Sequence, residues 1–437
     1  MSSEGLRRIP DATPPAVAPV LADAARVVAK VRRRLIPFLF LLYIVAYLDR
    51  INVGFAALQM NASLGFSSTV YGLGAGIFFL SYTLFEIPSN IMLARIGARL
   101  WIARIMISWG IVSSAMMFVR TAPAFYALRF LLGAAEAGFF PGIIFYLTLW
   151  FPGAERARTV AAFMTAVLMA GVIGGPLSGA LLSLHGAGGL AGWQWLFLLE
   201  GLPAVVLGVV VLRVLDERPR DAAWLSAAER DALVACLRDD DERRRVESTG
   251  RALRNRRTWL IAIIHIVIPV TLYGIGFWMP QMLKTSSGAS DFVVGLLSAI
   301  PYAAGAIAMV VAGRHSDRTG ERRWHFFVPA ATCAGALVAS TLSSGAVWTV
   351  AALTVAMAGL ASMFGPFWAL ATSQVAGVGA AASIALINSV GNTGGFFGPY
   401  LLGAINDATH SFAAGLFAIA AILVVGGALA LRVRDGV

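Results

Sequence analysis

Two short segments of this chain repeat each other across its length. They are RIGARLW at residues 95–101 and RTGERRW at residues 318–324, which lie 223 residues apart. The same offset relates two groups of residues: Gly171, Gly175 and Pro176 match Gly394, Gly398 and Pro399. Two independent matches at one offset indicate a duplicated unit. The sequence therefore predicts two related halves that follow each other in parallel.

Each half is too apolar for a soluble domain. Of the 437 residues, 58% are hydrophobic and 13% are charged, whereas about 25% of the residues in a soluble domain are charged. Only lipid could cover so much apolar surface. Helices are predicted because the apolar runs lack the alternation of barrel strands. Twelve runs are long enough to cross a hydrocarbon core of about 30 Å: residues 35–58, 70–94, 101–119, 123–150, 159–182, 193–213, 258–280, 291–313, 324–343, 346–370, 380–405 and 411–431.

The basic residues orient these predicted spans. If the N-terminus is cytoplasmic, 30 of the 34 Lys and Arg residues fall in cytoplasmic segments, and only Arg120 and Lys284 fall in external loops. This distribution follows the positive-inside rule. The net charge of +11 therefore indicates topology and contact with anionic membrane lipids, and not nucleic-acid binding. We expect a multi-pass protein of the inner (cytoplasmic) cell membrane with both termini in the cytoplasm.

The spans and the repeat define the predicted domains. These are a cytoplasmic tail over 1–34, a six-helix bundle over 35–213, a connector over 214–257, a second six-helix bundle over 258–431 and a cytoplasmic tail over 432–437. In the connector, Ser226 and Glu229 form a capping-box pattern that predicts a short polar helix. The two cysteines and five histidines show no metal-ligand spacing, so we expect no disulfide, metal or other cofactor.

Charged residues inside the spans mark the expected functional site, because each costs about 2.5–3.5 kcal/mol at mid-bilayer on insertion scales. Asp49 in the first span and Glu136 in the fourth lie near mid-depth. A carboxyl group in a poorly solvated cavity can exchange its proton when an arriving substrate changes the surrounding charge. Both are therefore predicted to be proton-coupling residues. The alternative is a static buried ion pair that only fixes helix packing.

A guanidinium group in the first span is the predicted anion anchor. Tyr43, Tyr47 and Arg50 are spaced to share one helical face, and the planar fork of Arg50 suits a carboxylate. Arg129 is interpreted as a second anion contact, an external gate paired with an acid, or a structural arginine that snorkels to the interface. Four neutral polar residues at similar depth complete the predicted substrate-binding cavity: Tyr82, Tyr273, Asn388 and Asn392.

Other ionisable residues in the spans are interpreted as structural. Glu86 and Glu200 are expected to pair with cytoplasmic arginines or with a helix end. The lone His265 is expected to be a satisfied core residue.

Residues 313–323 fit the loop motif Gly-x-x-x-Asp-Arg/Lys-x-Gly-x-Arg-Arg in every fixed position. In this segment the chain resembles the major facilitator superfamily, which implies an all-helical membrane fold. In the first half the motif is degraded, because Asn90 and Ala94 replace its first Gly and its Asp. The alternative for this loop is a solvated basic turn. The resemblance predicts a cytoplasmic gate that ties helix ends together in one state: Asp317, Arg318 and Arg322, with Arg95 and Arg99 in the first half.

Five further segments resemble the anion:cation symporters of that superfamily, at residues 47–52, 85–90, 129–138, 217–226 and 385–392. The last two are most similar to the tartrate-type branch, and the resemblance covers residues 35–431. It implies that the acids at positions 49 and 136 couple transport to protons. The glycines from residue 171 to 179 also resemble a motif of drug antiporters. Because the pattern recurs at 394–399, close helix packing is the preferred explanation.

We therefore expect a secondary transporter, and a monomer. It would take up a small organic anion, such as tartrate, a related hydroxy-dicarboxylate, a sugar acid or an aromatic acid, together with protons and by alternating access. The alternative is a proton-driven exporter of the same fold. A membrane enzyme is disfavoured because the sequence shows no nucleophile–base pair, metal cluster or phosphate loop.

Overall fold

The computed structural model describes residues 17–242, 255–342, 345–374 and 380–433, and these contain helices and no strand. The first half is built from seven α-helices: α1 (Val17–Leu64), α2 (Ser68–Ile96), α3 (Ala98–Ala115), α4 (Ala122–Glu136), α5 (Phe139–Trp150), α6 (Gly153–Leu182) and α7 (Gly192–Val214).

The connector and the second half are also helical. The connector holds helix α8 (Ala227–Glu242). The second half comprises α9 (Arg256–Ser287), α10 (Asp291–Thr319), α11 (Trp324–Ser340), α12 (Ala346–Ser362), α13 (Phe364–Gln374), α14 (Ala380–Asn392), α15 (Gly394–Thr409) and α16 (Phe412–Leu431).

These helices form twelve spans in two six-helix halves, as predicted. Three spans are broken, so that α4 with α5, α12 with α13 and α14 with α15 make the fourth, tenth and eleventh spans. Ten of the described segments are long and apolar enough to cross a membrane, and α11 is a shorter apolar helix. Apolar side chains such as Val206, Ile307 and Val425 are at least 60% exposed on the outside of the bundle. Such a surface requires lipid.

Helix α1 begins well before the first predicted apolar run. It starts at Val17, because its polar turns are held by the connector helix α8 and by the start of α6. Lys30 pairs with Glu229 at 2.8 Å, and Arg32 pairs with Glu155 at 3.1 Å. The predicted capping box at the start of α8 is present, since the Ser226 N–H donates to Glu229 at 2.8 Å and the Glu229 N–H donates to Ser226 at 3.2 Å.

The two halves meet where α2 packs on α15 and α6 packs on α10. Glycines bring these helices together. A Cβ atom added to Gly175 on α6 would collide with the carbonyl of Gly295 on α10, and one added to Gly72 on α2 would collide with the carbonyl of Pro399. The glycine motif on α6 therefore mediates close packing between the halves, which agrees with the packing interpretation.

Candidate functional site

An ion pair lies at the centre of the bundle. One terminal nitrogen of Arg50 on α1 donates to the carboxylate of Glu136 at the end of α4. The other donates to the Tyr273 hydroxyl on α9 at 3.2 Å. The side chains of Arg50 and Glu136 are only 14% and 2% exposed. The structure thus brings three of the predicted site residues together at the boundary between the halves.

Aromatic rings enclose the Arg50 guanidinium. Its carbon lies 5.4 Å from the ring centre of Tyr47, 5.3 Å from Phe78 and 5.2 Å from Tyr82. The hydroxyls of Tyr47 and Tyr273 are 3.1 Å apart. Cation–π contacts of this kind strengthen where water is excluded. The sequence did not indicate Phe78, because its spacing does not separate it from ordinary core residues.

A helix break sets the position of Glu136. Helix α4 ends at Glu136, and Gly138 adopts a left-handed conformation with φ +86° before α5 begins. A side chain there would also collide with Ser89 on α2. Glycine alone meets both demands at low cost. The break therefore leaves the last side chain of α4 pointing at Arg50.

Asp49 lies apart from this pair, although it is next to Arg50 in the chain. It is 1% exposed and faces α3 inside the first half. Its carboxylate accepts hydrogen bonds from the Trp109 indole at 2.6 Å, the Ser113 hydroxyl at 2.7 Å and the Asn52 amide at 3.3 Å. The two predicted proton-coupling residues thus occupy different surroundings. Trp109 and Ser113 were missed, and their four-residue spacing on α3 was the available signal.

Arg129 is fully buried against α2. It donates to the carbonyl of Gly74 at 3.2 Å and to that of Ala75 at 3.1 Å. Its guanidinium also lies 4.9 Å from the Phe78 ring centre. In this conformation it joins α4 to α2 through main-chain acceptors and does not snorkel. A role as an anion contact or gate stays a prediction.

The eleventh span contributes amide and hydroxyl groups. Asn388 donates to Glu86 at 3.4 Å, and the Ser389 hydroxyl lies 3.5 Å from the same carboxylate. Glu86 is 5% exposed, and these two contacts join it to the second half. The sequence had instead suggested a structural pairing of Glu86 with an arginine or with a helix end. Asn392 is partly exposed at the end of α14, and the chain breaks after it as the local glycines suggest.

The predicted cytoplasmic gate residues do not bridge the halves in this conformation. Asp317, in the last turn of α10, pairs with Arg322 of the following loop at 2.7 Å. Arg318 and Arg95 are exposed. Arg99 donates to the Leu212 carbonyl at the end of α7.

Two glutamates cap equivalent helices of the halves. Glu217 from the connector accepts from the N–H groups of Ala98 and Arg99 at 2.6 and 3.0 Å, at the start of α3. Glu321 accepts from the Trp324 N–H at 2.8 Å, at the start of α11. Carboxylates at helix N-termini are stabilising. Glu217 thereby fixes the first-half loop, whose motif lacks the aspartate of the second half. The sequence pattern did not indicate this role of Glu217.

Hydrogen bonds between the halves are concentrated at one end of the bundle, which we call the far end. It carries the loops at residues 65–67, 183–191, 288–290 and 410–411. Four contacts close it: Gln59 with Asp291 at 2.8 Å, Asp407 with the N–H groups of Ser68 and Thr69 at 2.9 and 2.7 Å, Asn406 with Ser68 at 2.7 Å, and the Tyr71 hydroxyl with the Phe277 carbonyl at 2.9 Å.

Twelve membrane spans in two halves, with an ion pair at their boundary, define a polytopic membrane transporter. The chain belongs to the Major Facilitator Superfamily, whose members match it over residues 39–399. These proteins are transporters and not enzymes, so the enzyme hypothesis is set aside.

Known proteins extend this similarity over most of the chain. An Agrobacterium vitis protein named "Putative tartrate transporter" is 49% identical over 93% of this chain and 94% of its own. A quinolone resistance transporter of Acinetobacter baumannii is 40% identical over 92% and 93%. A crystal structure of a bacterial homologue of the human lysosomal transporter Spinster shares the fold, with a TM-score of 0.77, 18% identity and coverage of 92% and 97%.

Proposed function

We propose that this protein is a proton-coupled symporter that takes up a small organic anion by alternating access. Tartrate or a related hydroxy-dicarboxylate is the leading substrate class, because relatives at 49% and 48% identity are named for tartrate. The observation that carries the proposal is the Arg50–Glu136 pair, which lies at the boundary between the halves with its charges almost wholly buried. A buried pair of this kind in a membrane is a functional feature by default.

Competition for Arg50 explains how protons and anion are coupled. While Glu136 is ionised, it occupies one arm of the guanidinium fork. When Glu136 takes up a proton, the ion pair is lost and the fork is free to bind a substrate carboxylate through two parallel hydrogen bonds. Loss of that proton restores the pair and displaces the anion. Proton and anion therefore bind together and leave together.

The tyrosines supply hydrogen bonds for the rest of the substrate. Tyr47 and Tyr273 lie beside Arg50 and belong to different halves. Hydroxyl groups of a hydroxy acid can replace the bond between these two tyrosines. A bound substrate would then contact both halves, which is the contact that a rocking transporter needs.

The contacts at the far end indicate from which side of the membrane the site is closed. If both termini are cytoplasmic, as the charge distribution predicts, the far end faces outside and this conformation is closed to the exterior. Rocking of the halves would break the far-end hydrogen bonds and close the cytoplasmic end in their place. The membrane concerned is the inner membrane.

A proton-driven exporter is the second candidate. It is favoured by the similarity to a quinolone resistance transporter. The enclosed guanidinium at the site fits an anion better than a cationic drug, because like charges repel in a poorly solvated cavity.

Purified protein in proteoliposomes tests the proposal against this alternative. A panel of hydroxy-dicarboxylates, sugar acids and aromatic acids would be offered with an inward proton gradient, while external pH is followed. We expect concentrative uptake of at least one acid and alkalinisation of the medium as it enters. Efflux of substrate with proton entry would support the exporter. No gradient-driven uptake of any organic anion would refute the symporter.

A further inference from the structure

A second carboxyl group is buried close to Asp49, away from the Arg50–Glu136 pair. Glu200 on α7 is 4% exposed. One of its oxygens accepts from the Ser178 hydroxyl on α6 at 2.8 Å, and the other is buried without a hydrogen-bond partner. The carboxyl group lies beside the Asn52 amide and within electrostatic reach of Asp49. Asn52 also donates to Asp49, so one amide stands between the two acids.

The basic groups of this region are engaged elsewhere. Arg50 is bound to Glu136 and Tyr273, and Arg129, which acts on Asp49 at a distance, donates to two carbonyls of α2. Glu136, which also acts on Asp49 at a distance, is the acid that Arg50 binds. The side chains that donate hydrogen bonds to Asp49 and Glu200 are neutral. They come from α1, α3 and α6: Asn52, Trp109, Ser113 and Ser178. Two carboxylates this deep in an apolar bundle cannot both stay ionised without a paired cation.

Hydrogen-bond donors decide which acid carries the proton. Three donors point at Asp49, and donors directed at a carboxylate stabilise its charged form. Glu200 receives one hydrogen bond, from Ser178, and its other oxygen has no hydrogen-bond partner although the Asn52 amide lies nearby, an arrangement that suits a neutral acid better than an anion. We propose that Asp49 and Glu200 hold one proton between them, carried on Glu200, and that this proton is released and rebound during transport.

The position of Ser178 connects this proton to the movement of the halves. Ser178 lies on α6 between Gly175 and Gly179, the glycines that seat α6 against α10 of the second half. Separation of α6 from α10 would admit water beside Ser178, the donor of Glu200. The proton affinity of the acid pair therefore differs between the closed and the open far end.

Infrared spectroscopy of the protein in lipid detects the proton directly, through the carbonyl stretch of a protonated acid that a carboxylate lacks. At neutral pH we expect Glu200→Gln to lose one such band and Asp49→Asn to retain it. Ser178→Ala should retain the band at higher frequency, because the carbonyl loses its donor. This variant identifies Glu200 even if Glu200→Gln does not fold.

Glu321→Gln is the matched control. Glu321 lies in the loop before α11, where partial burial raises its pKa but hydrogen bonds from Trp324 and His325 outweigh this and lower the pKa overall. Its replacement should leave the band unchanged. Loss of the band in Asp49→Asn but not in Glu200→Gln would reverse the assignment. The absence of any band that depends on either acid would overturn the proposal.

Release of the proton during transport rests on the proposed symport and has its own readout. The ratio of protons to anions would be measured in proteoliposomes for the wild type and for Glu200→Gln. We expect the ratio to fall by one proton per anion in the variant, and an unchanged ratio would overturn the release step. If the wild type shows no proton-driven uptake, the symport and the release step both fail, while the infrared bands still decide where the proton resides.

Discussion

In the proposed mechanism, Arg50 binds Glu136 in one state and a substrate carboxylate in another, and the shape of its side chain allows this exchange. The guanidinium presents two parallel N–H groups, whereas a lysine ammonium offers a point charge. We expect Arg50→Lys to weaken carboxylate binding about 10- to 100-fold, because a charge-assisted hydrogen bond is worth about 1.5–3 kcal/mol and about 1.4 kcal/mol is tenfold.

Equilibrium binding of the best substrate from the acid panel measures this effect. Arg120→Lys is the control, since Arg120 is an exposed loop residue outside the site. If Arg50→Lys bound the acid with wild-type affinity, Arg50 would not be the anchor.

In the proposed mechanism, Glu136 gives the site its dependence on protons. Glutamine at this position mimics the protonated acid and leaves Arg50 unpaired at every pH. We expect Glu136→Gln to lower the ratio of protons to anions by one, so that gradient-driven accumulation weakens while anion exchange persists. Parallel assays of net uptake and of exchange separate the two effects. An unchanged ratio in this variant would show that Glu136 does not carry a coupled proton.

Arg50 and Glu136 could be singled out from the sequence, because a charge inside an apolar span is energetically costly and therefore rare. It did not identify their surroundings. Phe78, Trp109 and Ser178 are common residue types in a helix core, and their importance depends on which face of each helix meets which neighbour. The repeat and the hydropathy pattern do not fix that rotation.

At the scale of elements, the contact between α6 and α10 depends on the absence of side chains. A methyl group at Gly175 would collide with the main-chain carbonyl of Gly295, and main chain cannot move aside as a flexible side chain can. We expect Gly175→Ala to hold the far end open and to slow uptake at least about tenfold, since a shift of about 1.4 kcal/mol between the states is enough.

Thiol labelling checks this expectation. A cysteine placed at Ser298, which lies under the contact and is fully buried, should react with a membrane-impermeant reagent in the Gly175→Ala background only. Gly335→Ala is the control, because open space surrounds that position. Equal labelling in both backgrounds would mean that α6 and α10 tolerate the added methyl group.

Helix bounds show how far the pattern of apolar residues could be trusted. It located all twelve spans. It did not indicate that α1 extends back to Val17, because that extension depends on ion pairs with Glu229 and Glu155, which are distant in sequence. The hydropathy pattern predicts which segments fit the lipid core, and it does not predict how far a helix continues beyond that core.

At the scale of the whole molecule, the orientation of the halves depends on a small number of polar contacts at the far end. The repeat predicted two halves, but one sequence serves every conformation of the transport cycle. It could not indicate that Asp291 and Asp407 would join the halves at one end while the predicted gate residues Asp317 and Arg322 pair with each other within the second half. These contacts are properties of a state, and a sequence specifies all of its states at once.

Among these contacts, the one made by Asp407 is the easiest to test, because one carboxylate accepts two hydrogen bonds across the halves. Its carboxylate caps the N-terminus of α2 by accepting from the N–H groups of Ser68 and Thr69, where the helix dipole also favours a negative charge. Asp407→Asn removes that charge. Since hydrogen bonds to charged groups are worth about 1.5–3 kcal/mol, we expect the population of the conformation with a closed far end to fall about tenfold or more.

Distances between spin labels measure this shift. Labels at Arg120 and Leu342, in exposed loops of the two halves, with Cys236 and Cys333 replaced by serine, would report longer distances. Asp221→Asn in the connector is the control, and an unchanged distance distribution in Asp407→Asn would show that the other far-end contacts close the transporter without it.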